Sequence, residues 1–79
     1  MKQIVKVYST QTCPYCYMVK KFLDDNNIKY EDIDVSKDHR AAQEMISKSG
    51  QMGVPQIGIG DKIIVGFNKP ALMKELGIK

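Results

Sequence analysis

Histidine occurs once in the 79-residue chain, as His39, and cysteine only twice, as Cys13 and Cys16. Structural zinc takes four soft or borderline ligands, so this stock argues against a metal held by one chain alone. Long apolar runs are missing too: residues 63–67 form the longest, far short of the roughly 20 residues that cross a bilayer. Lysines are scattered from Lys2 to Lys79 without a block of like charge. The aromatic residues Tyr8, Tyr15, Tyr17, Phe22, Tyr30 and Phe67 do not interleave with basic ones as a base-stacking platform would. A nucleic-acid partner is therefore not expected, and the net charge of +3 leaves only a mild pull on small anions. Met1-Lys2-Gln3 passes directly into Ile4-Val5, and Lys6 arrives before an apolar stretch develops. That reads against a secretory leader and for a cytoplasmic protein, whose reactive cysteines would cycle rather than stay oxidised and so need a reductant.

With 43% hydrophobic and 27% charged residues the composition is that of a folded globular chain, and residues 1–79 are expected to form one domain. A chain this short buries barely more than about 60% of its unfolded surface, which favours a surface groove over an internal substrate cavity. No repeat, linker or low-complexity segment interrupts it.

Residues 4–9 read as a first strand rich in β-branched and aromatic side chains, and Pro14 suits the first turn of a helix that follows. Over residues 14–26 Tyr15, Val19, Phe22 and Leu23 fall at helical spacing as an inward stripe, and Asn26-Asn27 tolerate a left-handed stop. Residues 29–35 alternate Tyr30, Ile33 and Val35 imperfectly with charge, giving a second strand, after which Ser36 can cap a second helix. Ala42, Met45, Ile46 and Ser49 would line its inner face, and Gly50 would end it. Residues 56–59 and 62–65 make a hairpin about Gly60-Asp61. Asn68 then caps a last helix with Pro70 in its first turn, burying Leu72, Met73 or Leu76 before Gly77 stops it. The order βαβαββα predicts one four-stranded mixed sheet flanked by helices, its first crossover right-handed and parallel.

Cys13-Pro14-Tyr15-Cys16 lies between the first strand and the first helix. Thiols three residues apart on a helix share a face with Cβ atoms about 5–6 Å apart, close enough to open and close a disulfide. A purely structural crosslink is the bland alternative, but closing so short a loop removes little unfolded-chain entropy, about 2 kcal/mol against about 3 for fifteen residues. The pair therefore reads as a redox centre, and its position beside a strand-helix-strand unit resembles the thioredoxin-like pattern.

Thr12-Cys13-Pro14-Tyr15-Cys16, then Gly53-Val54-Pro55-Gln56-Ile57, then Gly66 before a final helix, together resemble the glutaredoxin family across nearly the whole chain. The resemblance implies a thioredoxin-like α/β fold and a thiol-disulfide oxidoreductase in which Cys13 is the nucleophile and Cys16 resolves mixed disulfides. The physics agrees with that division, because unpaired N–H groups and the helix dipole favour a thiolate at the first turn while the next cysteine lies deeper. No tightly bound cofactor is implied. Glutathione would serve as reducing cosubstrate, disulfide-containing or glutathionylated proteins as substrates, and a monomer is expected. Pro55 matches the family's cis-proline, whose bond would turn the Val54 backbone toward Cys13 to pair with an extended thiol peptide.

The chain departs from the family where glutathione is gripped: Thr10 stands for a lysine, Gly53 for a threonine, and Val65-Gly66-Phe67-Asn68 for a Gly-Gly-x-Asp segment. Tyr15, Gln51, Val54, Pro55, Gly66, Phe67 and Asn68 still correspond to glutathione-contacting positions, and the last helix is expected to offer free N–H groups to a carboxylate. Gly66-Phe67 with Pro70 is also similar to the neighbouring redoxins that supply ribonucleotide reductase and are recharged by thioredoxin reductase, a second expectation. A third, iron–sulfur cluster carriage by two copies with glutathione, is disfavoured by Pro14, which stiffens the backbone where a cluster must approach. His39 reads as a solvated helix-terminus residue rather than a base, and Lys20 and Lys21 as a solvated face. Tyr17 and Met18 either line a docking surface or cap the core.

Overall fold

The computed structural model describes residues 4–77; Met1-Lys2-Gln3, on which the reading against a leader rests, and the last two residues lie outside it. The elements follow the expected order: β1 (Val5–Ser9), α1 (Pro14–Asp25), β2 (Glu31–Asp34), α2 (His39–Ser49), β3 (Gln56–Ile59), β4 (Lys62–Val65) and α3 (Lys69–Leu76). They build one mixed sheet ordered β2-β1-β3-β4, in which β1 runs parallel to β2 and antiparallel to β3, and β4 antiparallel to β3. This is the thioredoxin-like fold.

The two-residue period of β1 sorts its side chains between two layers. Val5 and Val7 pair with Ile59 and Ile57 across β3, and these four join Val19 and Leu23 of α1 and Leu72 of α3 in one core. Lys6 and Tyr8 face the other way, toward α2. The Tyr8 hydroxyl donates to Glu44 at 3.1 Å, Lys6 lies 3.7 Å from the same carboxylate, and the Tyr8 ring lies across Gly58. Met45 is buried on α2.

Four readings need correction. Ile4 is 69% exposed and outside β1, and β2 is cut to Glu31–Asp34, an edge strand none of whose residues is fully buried. Ser36 does not cap α2: its N–H and hydroxyl both turn back to Asp34, and Asp38 caps instead, accepting from the Ala41 N–H at 3.0 Å. In the α1 stripe Cys16 takes the place given to Tyr15, which is 62% exposed, because positions 16, 19 and 23 are the ones on a common inner face. On α2 the expected inner face is kept: Met45 is buried and Ala42, Ile46 and Ser49 are half-buried, while Gln43, Glu44, Ser47 and Lys48 are exposed. Asn27, Gly50 and Gly77 all adopt positive φ where the helices stop.

Burial, then the Glu44 hydrogen bond and the charges of Glu44 and Glu31, push the Tyr8 phenol up to about 12. Glu44 is held below the usual carboxylate range by Lys48 first and by Tyr8 and Lys6 after it. Replacing Tyr8 with Phe should lower stability at pH 7 by about 1 kcal/mol in urea unfolding. Above its ordinary value of 10.0 the unfolded chain releases the Tyr8 proton while the folded protein keeps it. That increment is complete below the unfolded value and is lost as pH climbs through the folded one. The wild-type advantage should therefore shrink between about pH 10 and 12; a constant gap there would refute burial as its cause.

Candidate active site

Three loops leave the sheet at one end because of a single row of pairing. Tyr8 sits opposite Gln56, and Gln56 opposite Val65. The chain beyond Ser9, the chain before Gln56 and the chain after Val65 must then emerge together, carrying Thr10 to Cys16, Gln51 to Pro55, and Gly66 to Asn68. The Val54-Pro55 bond is cis, as the resemblance implied, and the Gly66 N–H donates to the Pro55 carbonyl at 2.8 Å, tying two of the loops.

The cysteines straddle the start of α1. Cys13 is its N-cap, with extended backbone; its carbonyl accepts from the Tyr17 N–H and its Sγ from the Cys16 N–H at 3.1 Å. Pro14, with no N–H to satisfy, opens the helix, and the first turn carries no carboxylate to repel a thiolate. The sulfurs are joined as a disulfide with Cα atoms 5.2 Å apart. Cys13 is half-exposed and Cys16 is fully buried, so an incoming molecule meets the first sulfur and not the second.

Around them Tyr15, Tyr17 and Met18 are exposed on α1 and Met52 on the loop before Pro55. Thr10 is half-buried, Gln51 and Asn68 exposed, Val54, Gly66 and Phe67 half-buried, and Pro55 buried. Phe67 packs edge-on against Phe22 at 6.0 Å between centroids, with the Lys69 ammonium 5.8 Å over the Phe22 ring. Lys20 is engaged by Asp32 at 3.1 Å, and Asp32 also accepts from Ser9. Lys21 pairs with Asp25, while His39 is exposed at the first position of α2. Among the described residues no group of acidic, histidine and cysteine side chains is arranged for a metal.

The start of α3 differs from the expectation of free N–H groups. Asn68 Oδ1 accepts from the Ala71 N–H at 3.2 Å, Pro70 has none, and only the Lys69 N–H is without a partner among the described residues. The same asparagine that marks the helix start in the sequence takes the donor an anion would use. Sequence reasoning also missed Gln56, which is fully buried behind the site.

Two outcomes follow from this geometry. In reduced protein the Cys13 sulfur should react with iodoacetamide at a rate whose pH midpoint lies below the roughly 8.5 of a free thiol; an ordinary midpoint would show that the helix start does not stabilise the thiolate. Tyr15→Ala should leave stability within about 0.5 kcal/mol, as for an exposed position, while raising the KM for a disulfide substrate. A large fall in Tm would instead mark the ring as part of the core.

Residues 5–64 match the family model described as Glutaredoxin. A Clostridium pasteurianum protein, described as an uncharacterized glutaredoxin-like 8.6 kDa protein in the rubredoxin operon, is 46% identical over 71 residues, covering 90% of this chain and 95% of its own. Archaeoglobus fulgidus glutaredoxin superposes with a TM-score of 0.86 at 28% identity, over 94% of this chain and 86% of that one. Buckwheat glutaredoxin, solved as a complex with glutathione, superposes with a TM-score of 0.75 at 30% identity, over 96% and 72%. With a sulfur pair held across the start of a helix beside a cis-proline loop, the chain belongs to the glutaredoxin family of thiol-disulfide oxidoreductases.

Proposed function

We propose that this protein reduces protein disulfides and glutathione mixed disulfides with glutathione as cosubstrate, Cys13 acting as nucleophile and Cys16 as resolving thiol. The observation that carries the division is the unequal exposure of the two sulfurs, one at the helix tip and one in the core. The Cys13 thiolate attacks a substrate disulfide, forms a mixed disulfide and expels the other sulfur as a thiolate. From a glutathione mixed disulfide, a second glutathione thiolate attacks the glutathione sulfur, leaving oxidised glutathione and free Cys13. From a protein disulfide, Cys16 attacks the Cys13 sulfur, releases the protein thiolate and closes the internal disulfide, which two glutathiones then reopen. Each cycle moves two electrons from thiols to the substrate. Such a cycle needs a reduced thiol pool and suits a cytoplasmic monomer.

Family membership, the buckwheat relative's bound glutathione and the exposed Tyr15 beside the sulfurs support this reading. On it, the ligand rests along Thr10, Gln51, Val54, Pro55, Gly66, Phe67 and Asn68. A second reading draws on the capped start of α3, where one N–H is left for a glutathione carboxylate: recharging by thioredoxin reductase, with ribonucleotide reductase as recipient.

Following NADPH oxidation with a small glutathione mixed disulfide, in the presence of glutathione and glutathione reductase or of thioredoxin reductase alone, separates the two. Turnover is expected in the first system, and turnover confined to the second would replace glutathione as reductant. Cys13→Ser should abolish activity, whereas Cys16→Ser should keep reduction of the small mixed disulfide and lose reduction of protein disulfides. Equal loss in both variants on the small substrate would overturn the assigned roles.

A further inference from the structure

We propose that Gln56 is a positioning residue for substrate capture, its side-chain amide holding the 51–54 loop in the shape that receives the substrate. The inference rests on the thiol-exchange reading above. Gln56 opens β3, is fully buried on the α2 side of the sheet, and turns back along its own chain. Its Nε2 donates to the Gln51 carbonyl at 3.0 Å and to the Gly53 carbonyl at 2.7 Å, engaging both of its N–H groups. The orientation of the amide is decided by those partners: rotated by half a turn, Oε1 would confront two carbonyl oxygens. The cost of the observed orientation is an Oε1 that is buried and without a hydrogen-bond partner among the described residues.

From the helix side Ser49 completes the clamp. Its hydroxyl accepts from the Gln51 N–H at 3.1 Å, and its single hydrogen has two acceptors in reach, the Met45 carbonyl at 3.0 Å and the Gln51 carbonyl at 3.2 Å. A four-residue stretch containing Gly53 and bearing the exposed Met52 has little apolar packing of its own to order it. Its shape is set by these two side chains, one on α2 and one on β3. Both bound carbonyls are turned inward, so the loop is ordered before a ligand arrives, and the ordering cost is not charged against binding.

Gln56→Met, close in volume but without donors, tests this in the full-length protein. The KM for a glutathione mixed disulfide should rise about tenfold, the scale of one lost ordering contact, with kcat within about twofold and the rate of Cys13 alkylation by iodoacetamide unchanged. Amide hydrogen exchange should quicken at residues 51–54 and stay unaltered along β1. An unchanged KM, or a fall in kcat together with slowed alkylation, would overturn the proposal. Should Gln56→Met fail to fold, Ser49→Ala loosens the same loop from its other anchor and must raise KM in the same sense, while an unaltered KM there counts against it. Each variant is compared with wild type under both reductants. Wild-type inactivity with glutathione overturns only the reductant assignment, and the KM ratio in whichever system turns over decides on Gln56.

Discussion

The active end of the molecule depends on one register, the alignment of Tyr8 with Gln56 and of Gln56 with Val65. Side chains alternate along a strand, so a slip of one residue would move Gln56 into the apolar layer and Ile57 out of it. Burying Val5, Val7, Ile57 and Ile59 together against Val19, Leu23 and Leu72 is what prevents that slip. Packing at the centre thereby settles which loops meet at the edge. The cysteine pair and the cis-proline, some forty residues apart in sequence, are brought to the same end of the sheet through a choice made by four aliphatic side chains.

The inequality of the two sulfurs has the same origin. Helical periodicity puts residues 16, 19 and 23 on one inner face, so Cys16 is a core residue and Cys13, at the cap, is not. Nearby lysines do not explain the chemistry, because Lys20 and Lys21 are held by Asp32 and Asp25 in partly exposed pairs of modest worth. What remains to stabilise a thiolate at Cys13 is the unpaired end of the helix, including the Cys16 N–H that already points at the sulfur. Packing and helix geometry together separate the half-exposed sulfur from the buried one.

Much of the fold was legible in the sequence where the chain is punctuated by residues with few conformational choices. Gly50, Gly60 and Gly77, the Asn68 cap and Pro70 all marked boundaries that the structure keeps. Legibility failed where residues of similar chemistry compete. Ser36 and Asp38 are both capping residues two positions apart, and the outcome turned on Asp34 drawing Ser36 into a local turn. Tyr15 falls at helical spacing with Val19, Phe22 and Leu23 yet is exposed, whereas Cys16 is buried as its place one turn into the helix implied. β2 pairs on one side alone and is rich in acidic residues, so its pattern is faint. Gln56 stands in the motif around Pro55 but its role was not legible there, because its partners are backbone carbonyls brought within reach by the closing of a loop.

A consistent economy runs through the polar groups at this end. Asn68 spends its oxygen on the Ala71 N–H, Gln56 its amide on two carbonyls, Lys20 its charge on Asp32, while Lys69 lies over Phe22. Left facing outward are the half-exposed sulfur and the exposed side chains of Tyr15, Tyr17, Met18 and Met52. Apolar contact is non-directional and follows area rather than pattern, and methionine adapts its shape to what it meets. A rim of this kind discriminates little between the sequences that flank a disulfide. Under the proposed thiol exchange, selection falls on the step that only a disulfide can perform, exchange with Cys13, and on whether the backbone around that bond can lie against the 51–54 loop. On that reading specificity resides more in the geometry of the 51–54 loop, held by Gln56 and Ser49, than in complementary charge.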